Sequence, residues 1–190
     1  MFHLQMRIMD IYQLKISLLD IEPKIYRVVQ VPAGITLRNL HKVIQKVMPW
    51  ENCHLYQFVK GQTSYAPQSS QFSFSNGLSD RSVPLSDLLV KARQKLVYEY
   101  VFGDGWLHEI ILQKIIPAEE GVRYPICVEG RYAAPPEDSG GPPGYCDLLE
   151  ALNDPQHPGH DEAREWLGEE FDPEYFDLEK VNKQLLRIKV

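Results

Sequence analysis

Hydrophobic and polar positions alternate with a period of two from Tyr12: Tyr12, Leu14, Ile16 and Leu18 fall on one side and Gln13, Lys15 and Ser17 on the other. That period marks a half-buried strand. Asp20 to Lys24, with Pro23 inside it, predicts a turn, and Ile25 to Val31 is β-branched enough to be the hairpin partner. Pro32, Ala33 and Gly34 end that strand. The period then changes, because Leu37, Leu40, Val43, Ile44 and Val47 recur at the spacing of one helix face. Thr36 is placed to cap this helix and Pro49 to stop it.

A further strand is predicted at His54–Lys60. From Gly61 to Ser82 the chain is rich in Ser, Gln, Asn and Gly with little periodicity, which reads as a mobile, irregular surface excursion. Leu85 to Lys91 has room for a helical turn or two. Leu96–Phe102 and Trp106–Ile116 flank Gly103-Asp104-Gly105, and an Asp-Gly step between apolar strands supplies the positive torsions of a tight hairpin turn. On the second strand Trp106, His108, Ile110 and Leu112 share a face. After Tyr124, the passage Ala134 to Gly144 is too rich in Pro and Gly for regular structure. Helices follow at Tyr145–Leu152, at Asp161–Leu167 ended by Gly168, and at Leu178–Ile188, where Leu178, Val181, Leu185 and Ile188 form a stripe behind an Asp177 cap.

The order strand, strand, helix, strand, irregular segment, strand, strand matches a β-grasp, ubiquitin-like arrangement. The expected fold is therefore α+β. Residues 1–124 would form a β-grasp unit, a mixed sheet with one crossing helix. Residues 125–190 would form a Pro/Gly-rich loop and an acidic helical extension packed on it. Such a likeness of pattern carries fold and no function.

Composition adds four constraints. At 190 residues with 44% hydrophobic, the chain buries a core without a staple. Its three cysteines, Cys53, Cys127 and Cys146, are an odd count without paired spacing, which points to packed free thiols in a reducing compartment. No apolar run is long enough for a membrane, and Met1 to Asp10 lacks the features of a secretory signal, so a soluble cytoplasmic protein is expected. The net charge of −6 is unevenly spread: residues 1–124 hold 14 Lys and Arg against 11 Asp and Glu, while residues 125–190 hold 6 against 15. Without a basic cluster to neutralise phosphates, direct non-specific binding of nucleic acid is not expected.

Four blocks together resemble the plasmid pRiA4b ORF-3-like family. They are YQLKISLLDIEPKI from Tyr12, TLRNLHKVIQKVMPWENCHLYQF from Thr36, YEYVFGDGWLHEI from Tyr98, and a tail from Tyr124 carrying PPEDSGG, GY, LLEAL, WLG and FDLEKVN. The resemblance implies a lineage associated with plasmids and insertion sequences, and it brings no activity with it. Two departures bear on chemistry. Many family members read CPPEDCGG where this chain has Ala134 and Ser139, keeping only the preceding Cys127, so a cysteine-rich metal or redox site in that loop is not expected here. Some relatives read His-Leu-His where this chain reads His54-Leu55-Tyr56, which removes half of a same-face histidine pair.

His54, Tyr56, Asp104, His108, Glu137 and Asp138 form the candidate catalytic set. Two imidazoles and a carboxylate can ligate a divalent metal and activate water, with His54, His108 and Asp104 as the metal candidates, or a His-carboxylate pair can act as general base. Spacing alone does not assemble them. A histidine on an apolar strand face is more often a hydrogen-bonded core residue, and Asp104 is accounted for by its turn. Glu137-Asp138-Ser139-Gly140-Gly141 lacks the GxxxxGK[ST] arrangement of a phosphate-binding loop, and no GxSxG or HExxH is present. No cofactor is expected; a divalent metal enters only with the enzyme alternative. The competing expectation, placed first, is a non-enzymatic interaction or accessory module with a protein partner, docking through Tyr56, Phe58, Tyr98, Tyr100 and Trp106 unless these are core. A DNA-associated role ranks third, and nothing in the pattern fixes an oligomeric state.

Overall fold

The computed structural model describes residues 9–68 and 77–189. The stretch read for a secretory signal falls mostly in 1–8, and the centre of the segment read as a mobile excursion falls in 69–76; both lie outside the described residues. Strands β1 (Asp10–Leu18) and β2 (Tyr26–Pro32) lead into helix α1 (Leu37–Val47), followed by β3 (Tyr56–Lys60), β4 (Thr63–Ala66), β5 (Gly77–Ser79) and the short helix α2 (Leu85–Leu88). Then come β6 (Lys95–Tyr100), β7 (Trp106–Pro117), β8 (Ile126–Arg131) and helices α3 (Gly141–Asn153), α4 (His160–Leu167) and α5 (Leu178–Leu185).

The eight strands make one mixed sheet in the order β5-β4-β3-β6-β7-β1-β2-β8. All neighbours are antiparallel except β4 and β5. This corrects the β-grasp expectation: the fold is α+β and mainly sheet, with eight strands and five helices in place of a compact sheet with one crossing helix. Three strands account for the difference. β4 and β5 are too short and polar for alternation to reveal them, so the segment read as irregular widens one edge of the sheet. β8 lies within residues 125–190 and pairs with β2, from Tyr26↔Arg131 to Gln30↔Ile126, extending the other edge.

The predicted stripe of Tyr12, Leu14, Ile16 and Leu18 is buried, together with Val29 and Val31 of β2 and Leu96, Tyr98, Ile110 and Leu112 of β6 and β7. α1 closes this face with Leu37, Leu40, Val43, Ile44 and Val47, and Thr36 Oγ1 accepts the Asn39 N–H at 3.3 Å as its N-cap. α5 packs on α1 and β8, bringing Val181, Leu185 and Ile188 into the same core.

Several local readings shift. β3 starts at Tyr56, so His54 stands in the loop after α1 and not on a strand face. The β6–β7 pair closes at Tyr100↔Trp106, and the loop between them puts its positive torsions on Val101 and Gly105, with the Gly105 N–H bonded to the Val101 carbonyl. α3 begins at Gly141, inside the passage read as irregular, because Pro142 and Pro143 occupy the first helical positions, where a missing N–H costs nothing.

Candidate metal centre

Two loops build the site. The chain leaving α1 turns through Trp50 to Leu55, and the Pro135-Pro136-Glu137-Asp138 loop before α3 lies against it. Trp50 anchors the meeting: its Nε1–H donates to the Pro135 carbonyl at 2.8 Å, and its ring stacks on Tyr100 with centroids 5.0 Å apart. Asn52 and Asp138 both take positive φ, angles that short polar side chains tolerate, and the turns they make aim the intervening side chains at one another. Ser139 Oγ closes the second loop by donating to the Pro136 carbonyl at 2.9 Å.

Cys53, His54 and Glu137 converge there, each offering a ligand atom within 4.8 Å of the other two. Cys53 Sγ is 4.0 Å from Glu137 Oε2. His54 Nε2 lies 3.2 Å from Asp138 Oδ1, yet it makes no well-directed hydrogen bond and is itself shielded from solvent. Ligand atoms on a tetrahedral zinc ion stand roughly 3.3–3.8 Å apart, given bond lengths of about 2.0–2.3 Å. The set is therefore wider than a closed site by no more than about an ångström, and by only a few tenths between Cys53 and Glu137. Cys53 is exposed, so its side chain is free to make up that distance.

Glu137 is held by groups that a ligating carboxylate uses well. Its Oε2 accepts the Glu51 N–H at 2.9 Å, and its Oε1 accepts the Tyr100 hydroxyl, which in turn accepts the Cys53 N–H at 3.2 Å. Burial and then Glu137 push the Tyr100 phenol upward, so it remains a donor. Local desolvation, and after it the charge of Glu137, raise the Cys53 thiol, with Glu51 and Asp138 acting in the same direction. Among the described residues no lysine or arginine pairs with any of these three carboxylates. A cation bound here would reverse the sign of the thiol's shift. A cleft of about 450 Å³, lined by Trp50, Glu51, Cys53, Pro136, Glu137 and Asp138 among others, opens onto the cluster.

Of the candidates read from sequence, His54, Glu137 and Asp138 are brought together. His108 is not with them: it is fully buried, its Nδ1 donates to the Trp106 carbonyl at 3.1 Å, and its ring meets the edges of Trp50 and Tyr98. Tyr56 points its hydroxyl at Asp80, which pairs with Arg38, and stacks on His41 at 3.5 Å. Asp104 sits at the β6–β7 tip with its carbonyl against Gly141. Sequence reasoning missed Cys53 and Tyr100 as site residues. The adjacency Cys53-His54, a thiol and an imidazole side by side, was the available signal.

The sheet order and helices define an α+β protein, mainly sheet. Residues 10–180 match the family model described as plasmid pRiA4b ORF-3-like protein, and the chain belongs to that family. The uncharacterized protein y4hQ of Sinorhizobium fredii (strain NBRC 101917 / NGR234) is 35% identical over 175 residues, covering 92% of this chain and 90% of that protein. A crystal structure of MM3350 from Methanosarcina mazei Go1, titled a protein of unknown function, is 41% identical with a TM-score of 0.82, covering 90% of this chain and 97% of that one. Among the described residues no helix is long and apolar enough to cross a membrane.

Proposed function

We propose that the protein holds a divalent metal ion of the zinc class on Cys53, His54 and Glu137, and that the coordination position left open toward the cleft serves hydrolytic chemistry. The convergence of these three ligand types from two loops, with none of the surrounding carboxylates paired to a lysine or arginine, carries this reading. Three protein ligands plus an open position is the pattern of catalytic zinc, where the ion lowers the pKa of bound water to near 7 and polarises a carbonyl or phosphoryl oxygen. Asp138, beside His54, is the group positioned to take a proton from such a water. Tyr100 and the Glu51 N–H fix the Glu137 carboxylate, as outer-shell partners of metal ligands do.

The accessory, protein-docking reading has less support. Tyr56, Phe58, Tyr98, Tyr100 and Trp106 are all buried, so they offer no docking face. Only the family's plasmid-derived description speaks for an accessory setting.

Metal analysis of untagged protein tests the proposal. About one equivalent of metal per chain is expected in the wild type, falling severalfold in Cys53→Ala and His54→Ala with circular dichroism unchanged. Because the thiol must lose its proton to ligate and its pKa is raised, affinity should climb as pH rises through the neutral to alkaline range. Equal trace metal in wild type and both variants would sink the idea.

A further inference from the structure

Arg27, on β2, is 1% exposed and is among the largest fully buried side chains. Its Nε donates to the Val47 carbonyl at 2.9 Å, and its Nη1 donates to the Tyr26 and Arg131 carbonyls at 2.8 and 2.9 Å. These bonds tie β2, β8 and the end of α1 together. They meet the guanidinium with carbonyl dipoles only, because among the described residues no carboxylate pairs with it. A buried cation without an anion is an expensive arrangement, and burial lowers the guanidinium pKa to about 10.

One edge is unused. Nη2 has no hydrogen-bond partner among the described residues, and Arg27 lines a cleft of about 440 Å³. The Phe176 ring covers the guanidinium face at 4.1 Å, leaving the in-plane edge, which is the edge that carboxylates take. Trp50, Phe171, Tyr175 and Phe176 supply aromatic walls. Lys46 and Lys180 also line the cleft, matched by Glu170, Asp172 and Asp177. Of these acids, Asp172 accepts the Glu174 N–H and Asp177 accepts the Lys180 N–H and the Tyr175 hydroxyl. With Arg27 counted, cations and anions are equal in number, so a multiply charged anion gains little from the walls.

We infer that this cleft takes an organic monocarboxylate with an apolar or aromatic body, its carboxylate on Arg27 Nη2 and its body between the aromatic walls. The cleft adjoins the metal cluster through Pro49, Trp50 and Ala134, which line both, but the inference does not need the metal.

The test is an NMR titration of the metal-free full chain with benzoate, following the Arg27 Nε–H and Phe176 ring signals, with benzyl alcohol and inorganic phosphate as comparison probes. Saturable shifts are expected with benzoate, weakened by about tenfold or more in Gln184→Trp, which adds bulk to the cleft lining at a residue that makes no hydrogen bond to Arg27. Arg27→Gln should abolish them, and should this variant not fold, the wild-type signals and Gln184→Trp still decide the matter. Cys53→Ala should bind benzoate as the wild type does, which separates this result from the fate of the metal centre. No saturation by about 10 mM benzoate, equal binding of benzyl alcohol, or phosphate binding tighter than benzoate would each overturn it.

Discussion

Burial has made two of the histidines neutral and left a third available. His41, on α1, donates from Nε2 to Asn52 Oδ1, which can only accept, so its Nδ1 accepts the Tyr98 hydroxyl, whose oxygen also accepts the Gln45 amide. His41 and His108 both have pKa values lowered to about 4, in each case chiefly by burial. An unfolded imidazole titrates near 6.5, so below that value the unfolded chain takes up protons that the folded chain refuses. Stability should therefore be level above about pH 7 and fall as pH drops from about 6.5 toward 4, by up to roughly 3 kcal/mol per histidine. Urea denaturation across this range checks it. His108→Gln should flatten the pH slope by about half, since one of the two titrations is then gone. A steep slope that survives in the variant would show that His108 is not its source.

Among the elements, those with a clear period were legible and those fixed by contact were not. The Tyr12 stripe and α1 follow from alternation and helical spacing, and every apolar position so predicted is buried, although Ser17, His41 and Gln45 are buried beside them. β4 and β5 offer too few residues to alternate. His54 belonged to a run that alternates straight through into β3, and only the turn at Asn52 takes it out of the strand. The chemistry of Glu137 and Asp138 was readable from residue type. The exposure of Cys53, unlike that of Cys127, depends on which loop lies over it and has no local signature. The start of α3 belongs to the same class. Gly141 takes φ +70°, and a Cβ there would stand 2.2 Å from the Asp104 carbonyl oxygen, so the β6–β7 tip rests on that glycine. Gly141→Ala should lower stability by roughly 2–4 kcal/mol, read as a drop in thermal midpoint, because both the torsion and the contact fail. A loss below about 0.5 kcal/mol would mean that the tip can move aside freely.

At the scale of the whole molecule, the two loops of the metal cluster are 84 residues apart in sequence at the Cys53–Glu137 contact, and an ion between them would act as a cross-link. Zinc at about a hundred times its dissociation constant should add about 2.7 kcal/mol to stability, seen as a rise in thermal midpoint that chelator reverses and Cys53→Ala lacks. The aromatic layer beneath the site, Trp50 on Tyr100 and His108 edge-on to Trp50, joins the metal loops to the core.

The order of strands also sets a timetable for synthesis. β1 finds its inner neighbour only when β7 exists, at Leu18↔His108, and β2 keeps an open flank until Arg131 has been made. A chain emerging from the ribosome would carry its first hairpin unpartnered for most of translation, with Val28 and Val29 on an edge able to pair with another nascent chain. The Lys15 ammonium over the Tyr26 ring and the polar row of Gln13 and Gln30 sit on that same hairpin, and charged and polar side chains there disfavour pairing with another chain.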